Sequence, residues 1–384
     1  MKTLRATHLL TAAAILPNPL LSVNSDGTIS SLSTDHDPDS SDGSTLSPAL
    51  LDIHTHGAVG EDVMSATPAG FAKLGRFLAT HGVAWYCPTT VTAPLDLTLA
   101  ALGRIATEIE RGPQPLSAHP LGIHLEGPFL SPVKRGIHPA GHLLTPDIAV
   151  FDCLLQAARG HVVLLTIAPE LPGAVDLIRH AVSRGVRVSL GHSNATAAET
   201  LAAVAAGATG ATHTFNAMRP LDHREPGILG TVLDDPSLFG ELIADGIHVA
   251  PPLIRLWHHA KGPDRAMLVT DSMSAAGAPD GNYSLAGLPV TVREGRVLLS
   301  ADLAVGKDTL AGSALTLDAA VRNLQEHTGC TLATAIRAAT FTPAAFLGRL
   351  HLMELHPGAP AHLIRFDRHG RLVATYIRGD EVRP

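Results

Sequence analysis

Eight short apolar runs, separated by longer stretches of helical periodicity, constrain this chain of 384 residues more than any other feature. The runs fall at Ala49–Ile53, Val83–Cys87, Leu121–Leu125, Val162–Ile167, Val186–Leu190, Gly210–His213, Glu241–Ala244 and Ala266–Thr270. Between them, apolar residues recur at three- and four-residue intervals over Ala69–Thr80, Leu95–Glu110, Asp147–Ala158, Gly173–Ser183, Ala195–Ala206 and Pro251–Ala260. Only the link from the sixth run to the seventh lacks a clear helix. Strands alternating with helices build parallel sheets, and eight such units predict a (β/α)₈ barrel, an α/β fold whose reactive groups sit at the C-terminal strand ends.

Residues before Ala49 and after about Arg349 break the alternation. They read as short strands and turns, among them Leu363–Phe366 and Leu372–Ile377 around Arg368-His369-Gly370, and a hairpin turn at Asp26-Gly27. The two termini are therefore expected to meet in a small β-sandwich domain, residues 1–48 with 349–384, leaving 49–348 to the barrel. The stretch Asp35–Ser47, rich in Asp, Ser and Gly, is expected to be a loop without a chemical role.

Charge excludes some partners. A formal net charge of −7 and a pI near 6.3 leave no broad cationic surface for nucleic acid. No apolar run reaches the roughly 18–20 residues that span a bilayer. Lys2 and Arg5 ahead of Leu9–Leu21 imitate a signal peptide, but His8, Pro17 and Pro19 interrupt the apolar stretch, so a folded, cytoplasmic segment is expected. Cys87, Cys153 and Cys330 are too scattered for a disulfide framework, which fits a reducing compartment.

The predicted strand ends carry the chemistry. The first runs into His54-Thr55-His56, and residues two apart on a strand project to one side, so both imidazoles can face one metal ion. Glu126 follows the third strand, His192 the fifth, His213 ends the sixth, and Asp271 follows the eighth. Imidazoles and carboxylates suit a divalent ion such as Zn²⁺ or Fe²⁺. Some barrel hydrolases bridge two ions with a carboxylated lysine, but no lysine lies between Lys134 and Lys261, and Glu126 is the natural replacement. Such an ion activates water and polarises a carbonyl, which suits hydrolysis of an amide or ester, and Asp271 is placed to move the proton.

The motifs around these residues are His54-Thr55-His56-Gly57, His124-Leu125-Glu126-Gly127-Pro128, Lys134-Arg135-Gly136-Ile137-His138, Gly191-His192-Ser193-Asn194, His213-Thr214-Phe215-Asn216-Ala217-Met218, Arg224-Glu225-Pro226-Gly227, Asp245-Gly246-Ile247-His248 and Thr270-Asp271. Together they resemble the N-acetylglucosamine-6-phosphate deacetylases of the amidohydrolase superfamily, over most of the chain. The resemblance implies that Glu126, His192 and His213 bind the principal ion and that His54 and His56 can hold a second, so one or two ions per subunit. It implies that His138 polarises the acetyl carbonyl, that Asn216, Ala217 and His248 meet the sugar phosphate, and that Arg224 clamps that phosphate from the partner subunit of a homodimer. Leu310, in Thr309-Leu310-Ala311-Gly312-Ser313, matches a loop near the sugar. The hairpin at Ala286-Gly287 and Val290–Leu299 matches the family without supplying chemistry. Pro357-Gly358-Ala359-Pro360-Ala361-His362-Leu363 departs from the family's usual Gly-x-x-Ala-Asp-Leu. The expected substrate is N-acetyl-D-glucosamine 6-phosphate; its galactosamine epimer is the alternative, and from another class a catalytically inactive sugar-phosphate-binding barrel, against which the intact set Glu126, His192, His213 and Asp271 speaks.

Overall fold

A computed structural model describes residues 2–34 and 42–384. Eight parallel strands form the barrel: β1 (Leu50–Thr55), β2 (Val83–Thr90), β3 (Ile123–Glu126), β4 (Val162–Ile167), β5 (Arg187–Leu190), β6 (Gly210–Ala211), β7 (Phe239–Ile243) and β8 (Ala266–Val269). Neighbours pair in chain order from β1 to β8. The ring closes just beyond β8, where Thr55 bridges Ser272, the Asp271 N–H donates to the His54 carbonyl at 2.9 Å and the His56 N–H to the Ser272 carbonyl at 2.7 Å. A side chain reinforces this seam. The buried carboxylate of Asp52 accepts from the Thr270 hydroxyl at 2.6 Å and from the Thr270 N–H at 3.3 Å.

The helices are α1 (Pro68–Thr80), α2 (Leu95–Glu110), α3 (Ile148–Ala157), α4 (Ala174–Ser183), α5 (Ala197–Ala205), α6 (Gly227–Asp234) and α7 (Pro251–Arg265), with Leu317–Thr328 (α8) following the barrel strands. Local sequence starts several of them. Thr67 accepts the Gly70 N–H ahead of Pro68, Asp147 accepts the Val150 N–H, and Thr196 with Glu199 forms a reciprocal capping box on α5. Helix α6 fills the link where no helix was expected; it is short, holds Gly227 and Gly230, and so lacks a strong helical signature. Helix α7 passes Ala260 but is broken at Gly262, whose φ is 61°. Two expected strand limits shift: the second strand runs on past Cys87 to Thr90, and His213 lies beyond the sixth, because its backbone turns left-handed, with φ 30°.

Strands from the two ends of the chain interleave. A six-stranded sheet runs Asp380–Val382, Leu372–Ile377, Leu363–Phe366, Thr45–Pro48, His8–Leu10, Ile15–Pro17, and a three-stranded sheet holds Lys2–Arg5, Pro19–Val23 and Ile29–Thr34. Leu9, Leu21, Val23, Ile29, Leu46, Leu363 and Tyr376 form a common core between them. The Asp26-Gly27 turn is present: Gly27 adopts φ 82°, and a Cβ there would lie 2.4 Å from the Arg378 carbonyl oxygen. The expected loop Asp35–Ser47 needs correction at its end. Thr45–Ser47 belong to a strand, because their backbone completes the ladder between Leu363–Phe366 and His8–Leu10; residues 35–41 lie outside the described residues.

His362 stands where this sandwich meets the barrel. Its carbonyl accepts the Ala49 N–H at 3.1 Å and its ring packs edge-on against Trp85, with centroids 4.7 Å apart. Burial pushes its imidazole down to about 4, assisted by nearby Arg378 and His119. The native ring is therefore neutral while the unfolded ring takes up a proton below its ordinary 6.5, so folding stability is lost as pH falls from 6.5 towards 4. Between pH 7 and pH 5, His362→Gln should lose about 2 kcal/mol less than the parent chain. Urea unfolding of both chains at the two pH values checks this; equal losses would mean that His362 does not titrate as a buried neutral ring.

Candidate metal centre and active-site cavity

The strand ends deliver one carboxylate into a ring of imidazoles. Glu126, at the end of β3 and 3% exposed, has His192 Nε2 and His213 Nε2 at 3.1 Å from Oε1, His56 Nε2 at 3.3 Å and His138 Nε2 at 3.4 Å from Oε2, and His54 Nε2 at 3.6 Å from Oε1. Asp271 Oδ1 lies 3.1 Å from His56 Nε2 and 3.4 Å from His54 Nε2. His192, His213 and Asp271 all have left-handed backbones, with φ 46°, 30° and 49°. Each sits just past its strand, where leaving the ladder lets the side chain turn over the barrel mouth. Such conformations cost about 1 kcal/mol or more apiece and persist only where the surroundings enforce them.

Hydrogen bonds on the far side of each ring fix which nitrogen faces the centre. A carbonyl only accepts, and Glu241 Oε2 is already an acceptor for the His213 N–H, so the Nδ1–H of His56 donates to the Thr89 carbonyl, that of His192 to the Lys134 carbonyl and that of His54 to Glu241 Oε2, at 3.0, 3.0 and 3.1 Å. In the neutral form that binds a metal, each Nε2 thus presents its lone pair to the cluster. His138 is the opposite case. The main-chain N–H of Thr92 donates to its Nδ1 at 3.2 Å, so the neutral ring carries its proton on Nε2 and offers a donor.

Burial disfavours the charges, and their mutual attraction overrides it. For Glu126 burial raises the pKa, but His54, His138, His192 and His213 outweigh it and hold the carboxyl well below the carboxylate range. Asp271 is lowered in the same way, by His54 and His56 against burial. Burial works against the His56 imidazolium, yet Asp271 and Glu126 lift it to about 9, whereas His192 is pushed down to about 4 by burial.

Two overlapping sets fit a divalent ion: Glu126, His192 and His213, and His54, His56 and Glu126, each with ligand atoms within 4.8 Å of one another. The donor chemistry matches, since Zn²⁺ and Fe²⁺ take imidazole nitrogen and carboxylate oxygen. So does the orphaned Nε2 of His54, fully buried with no hydrogen-bond partner among the described residues.

A cavity of about 320 Å³ opens above this cluster, and Asn216, Ala217, His248 and Leu310 line it together with His56, Glu126, His138, His192, His213 and Asp271. The main-chain N–H of Asn216 is engaged by the His213 carbonyl at 3.0 Å, as is its side-chain Nδ2 at 3.2 Å. Arg224 does not line the cavity of its own chain; it is exposed on the loop before α6, its N–H bonded to Asp222 Oδ1 at 2.9 Å. The expected hairpin is a three-stranded sheet, Gly281–Leu285, Leu288–Arg293 and Arg296–Leu299, and it does contribute to the site: Leu285 forms part of the cavity wall, held there as the Ala286 N–H donates to the half-buried Asp62 carboxylate at 2.6 Å. A larger cleft of about 690 Å³, among Arg365, Arg368 and Arg371 on the sandwich, contains none of the candidate residues.

Four contributors have no role in the sequence reading: one stands in no motif, and three stand inside motifs read for other residues. Glu241 is a fully buried carboxylate inside β7, and only its polarity within the apolar run Phe239–Ile243 marks it. Asp245 accepts from His248 Nδ1 at 2.6 Å, three positions ahead of it in Asp245-Gly246-Ile247-His248. Lys134 and Thr309 also line the cavity.

Residues 45–382 match the amidohydrolase family. The chain belongs to that family. It is 40% identical to an N-acetylgalactosamine-6-phosphate deacetylase of Escherichia coli O157:H7, over 98% of both chains, and 35% identical to an N-acetylglucosamine-6-phosphate deacetylase of Vibrio furnissii, over 98% of this chain and 93% of that one. Among solved structures, an alanine-substituted N-acetyl-D-glucosamine-6-phosphate deacetylase of Mycobacterium smegmatis, in complex with N-acetyl-D-glucosamine 6-phosphate, superposes with a TM-score of 0.91 at 34% identity, covering 100% of this chain and 99% of that one. The (β/α)₈ barrel with its sandwich is thus the amidohydrolase architecture. No helix among the described residues is long and apolar enough to cross a membrane.

Within this amidohydrolase site, Gly312 buttresses Asp271. It adopts φ 66°, a Cβ there would meet the Asp271 carbonyl oxygen at 3.1 Å, and the next residue's N–H donates to that oxygen at 2.7 Å. Gly312→Ala should cost about 1–2 kcal/mol in urea unfolding, from a left-handed alanine pressed against the Asp271 backbone. An unchanged midpoint would show that the loop yields freely.

Proposed function

We propose that this amidohydrolase removes the N-acetyl group of N-acetyl-D-glucosamine 6-phosphate, giving D-glucosamine 6-phosphate and acetate, as a cytoplasmic homodimer. The observation that carries this reading is the convergence, at one cavity floor, of Asp271, 3.1 Å from His56 Nε2, with His138, whose Nδ1 accepts the Thr92 N–H and so leaves Nε2 as the donor. Glu126, His192 and His213 would hold a divalent ion, and His54 and His56 a second together with Glu126. When bound, the ion supplies Lewis acidity, making water a usable nucleophile near neutral pH and polarising a carbonyl.

The acetyl carbonyl oxygen accepts from His138 Nε2–H, which favours the oxygen's charge as the tetrahedral centre forms. Asp271 accepts the proton of the attacking water and returns it to the sugar nitrogen, so that an amine rather than an amide anion departs. Leu285 and Leu310 pack against the sugar and exclude bulk water. The phosphate is met by Ala217, Asn216 and His248, whose imidazole is oriented by Asp245. Arg224 reaches the partner's cavity; its exposure, away from its own cavity, supports that role, and its planar fork suits phosphate oxygens. A phosphorylated sugar is retained inside cells, which fits the cytoplasmic setting and the three unpaired cysteines.

Acetate release from N-acetyl-D-glucosamine 6-phosphate by metal-loaded protein tests the reading, with a chelated sample and the unphosphorylated sugar as controls. Asp271→Asn should retain metal and lose about 10²–10⁴-fold in kcat; undiminished turnover would remove Asp271 from the proton path. Arg224→Ala should raise KM for the phosphorylated sugar about 10–100-fold with a smaller change in kcat, as loss of a charge-assisted contact dictates. An equal effect on the unphosphorylated sugar would contradict the phosphate role.

One observation favours a second reading. The 40% identical relative from Escherichia coli O157:H7 is an N-acetylgalactosamine-6-phosphate deacetylase, and the two substrates differ in one hydroxyl's configuration. Comparing kcat/KM for the two epimers decides between them.

A further inference from the structure

Glu241 accounts for none of the chemistry above, yet it is fully buried and touches both candidate ligand sets. Its Oε2 accepts the Nδ1–H of His54 at 3.1 Å and the main-chain N–H of His213 at 3.1 Å. Its Oε1 is buried with no hydrogen-bond partner among the described residues. A carboxyl group is expensive to bury, and one left half-satisfied in an apolar strand calls for a specific role.

The geometry points to Glu241 as a positioning residue that fixes His54 as an Nε2 ligand and ties the two metal-ligand sets to one carboxylate. This inference rests on the metal-ligand reading of His54, His56 and Glu126. With its Nδ1–H committed to Glu241, His54 has one free nitrogen, and that Nε2 is the buried atom facing Glu126 and Asp271 at 3.6 and 3.4 Å. His56 and His192 achieve the same orientation through main-chain carbonyls, so His54 alone among these three depends on a side chain for it. The His213 N–H on the same oxygen helps to hold its left-handed backbone, from which the ring reaches Glu126. Partners of this kind on the far side of metal-binding histidines typically govern metal affinity by 10–100-fold.

Because one oxygen accepts both bonds, glutamine can reproduce the geometry without the charge, and alanine cannot. The test is a Zn²⁺ titration of metal-free parent, Glu241→Gln and Glu241→Ala proteins against a chromophoric chelator, with folding of each checked by circular dichroism. The parent is expected to bind two ions. Glu241→Ala should weaken the ion at His54 and His56 about 10–100-fold, with a smaller loss at Glu126, His192 and His213, and Glu241→Gln should stay within about threefold of the parent. Unchanged affinities in Glu241→Ala, or equal losses in the two variants, would overturn the positioning role while leaving the metal centre intact. A parent that binds no ion at His54 and His56 would instead refute the ligand reading, and this inference with it. Should the alanine chain not fold, ¹⁵N-histidine spectra of the Zn²⁺-loaded parent decide: His54 bound through Nε2 with Nδ1 protonated supports the assignment, and binding through Nδ1 overturns it.

Discussion

A single ionised carboxylate withdrawn from water organises this molecule. Burying Glu126 without partners would cost several kcal/mol, so five imidazole Nε2 atoms gathered within 3.6 Å are what makes its position tenable. Those rings come from β1, β5 and β6 ends and from the loop after β3, so every element on that side of the barrel is held to Glu126's location. The demand extends downward. Instead of an apolar layer, the barrel beneath the site holds His124, whose Nε2 lies 2.8 Å from the Thr166 hydroxyl, and that hydroxyl lies 2.8 Å from Thr212, which donates to Ser189 at 2.8 Å. A connected polar layer of this kind gives the rings above it a floor that cannot repack freely.

Histidine chemistry in the cluster is divided by what lies behind each ring rather than by what lies in front. Main-chain carbonyls behind His56 and His192, and a carboxylate behind His54, turn lone pairs inward; a main-chain N–H behind His138 turns a proton inward. Four of the five rings around one carboxylate therefore face it in two different ways, and the distinction is written in backbone hydrogen bonds made by Thr89, Thr92 and Lys134 and in the side chain of Glu241.

The barrel was legible in the sequence because its strands are apolar runs and its helices periodic, and the site was legible because reactive side chains fall at strand ends, where the fold puts them together. His54-Thr55-His56, Glu126, His192, His213 and Asp271 all needed only that rule. What the sequence did not expose depends on geometry set by distant parts of the chain. Glu241 reads as one polar residue in a strand until His54, which lies 187 positions away, is seen against it. Helix α6 owes its existence to packing more than to propensity, and Thr45–Ser47 read as loop because the strands that flank them come from opposite ends of the chain. The hairpin's contribution was hidden for a similar reason: Leu285 is placed by Asp62, from the loop after β1.

The seam between β8 and β1 has a further meaning. His54 and His56 stand on the first strand and Asp271 follows the last, and the bonds that join them cross a separation of 217 residues between Thr55 and Ser272. Nothing short of the finished ring brings the Asp271 carboxylate to His54 and His56. A nascent chain still emerging from the ribosome, or a barrel fragment missing its last strand, would hold Glu126 and all five imidazoles and lack Asp271, so that the cluster is completed together with the topology rather than growing in step with it.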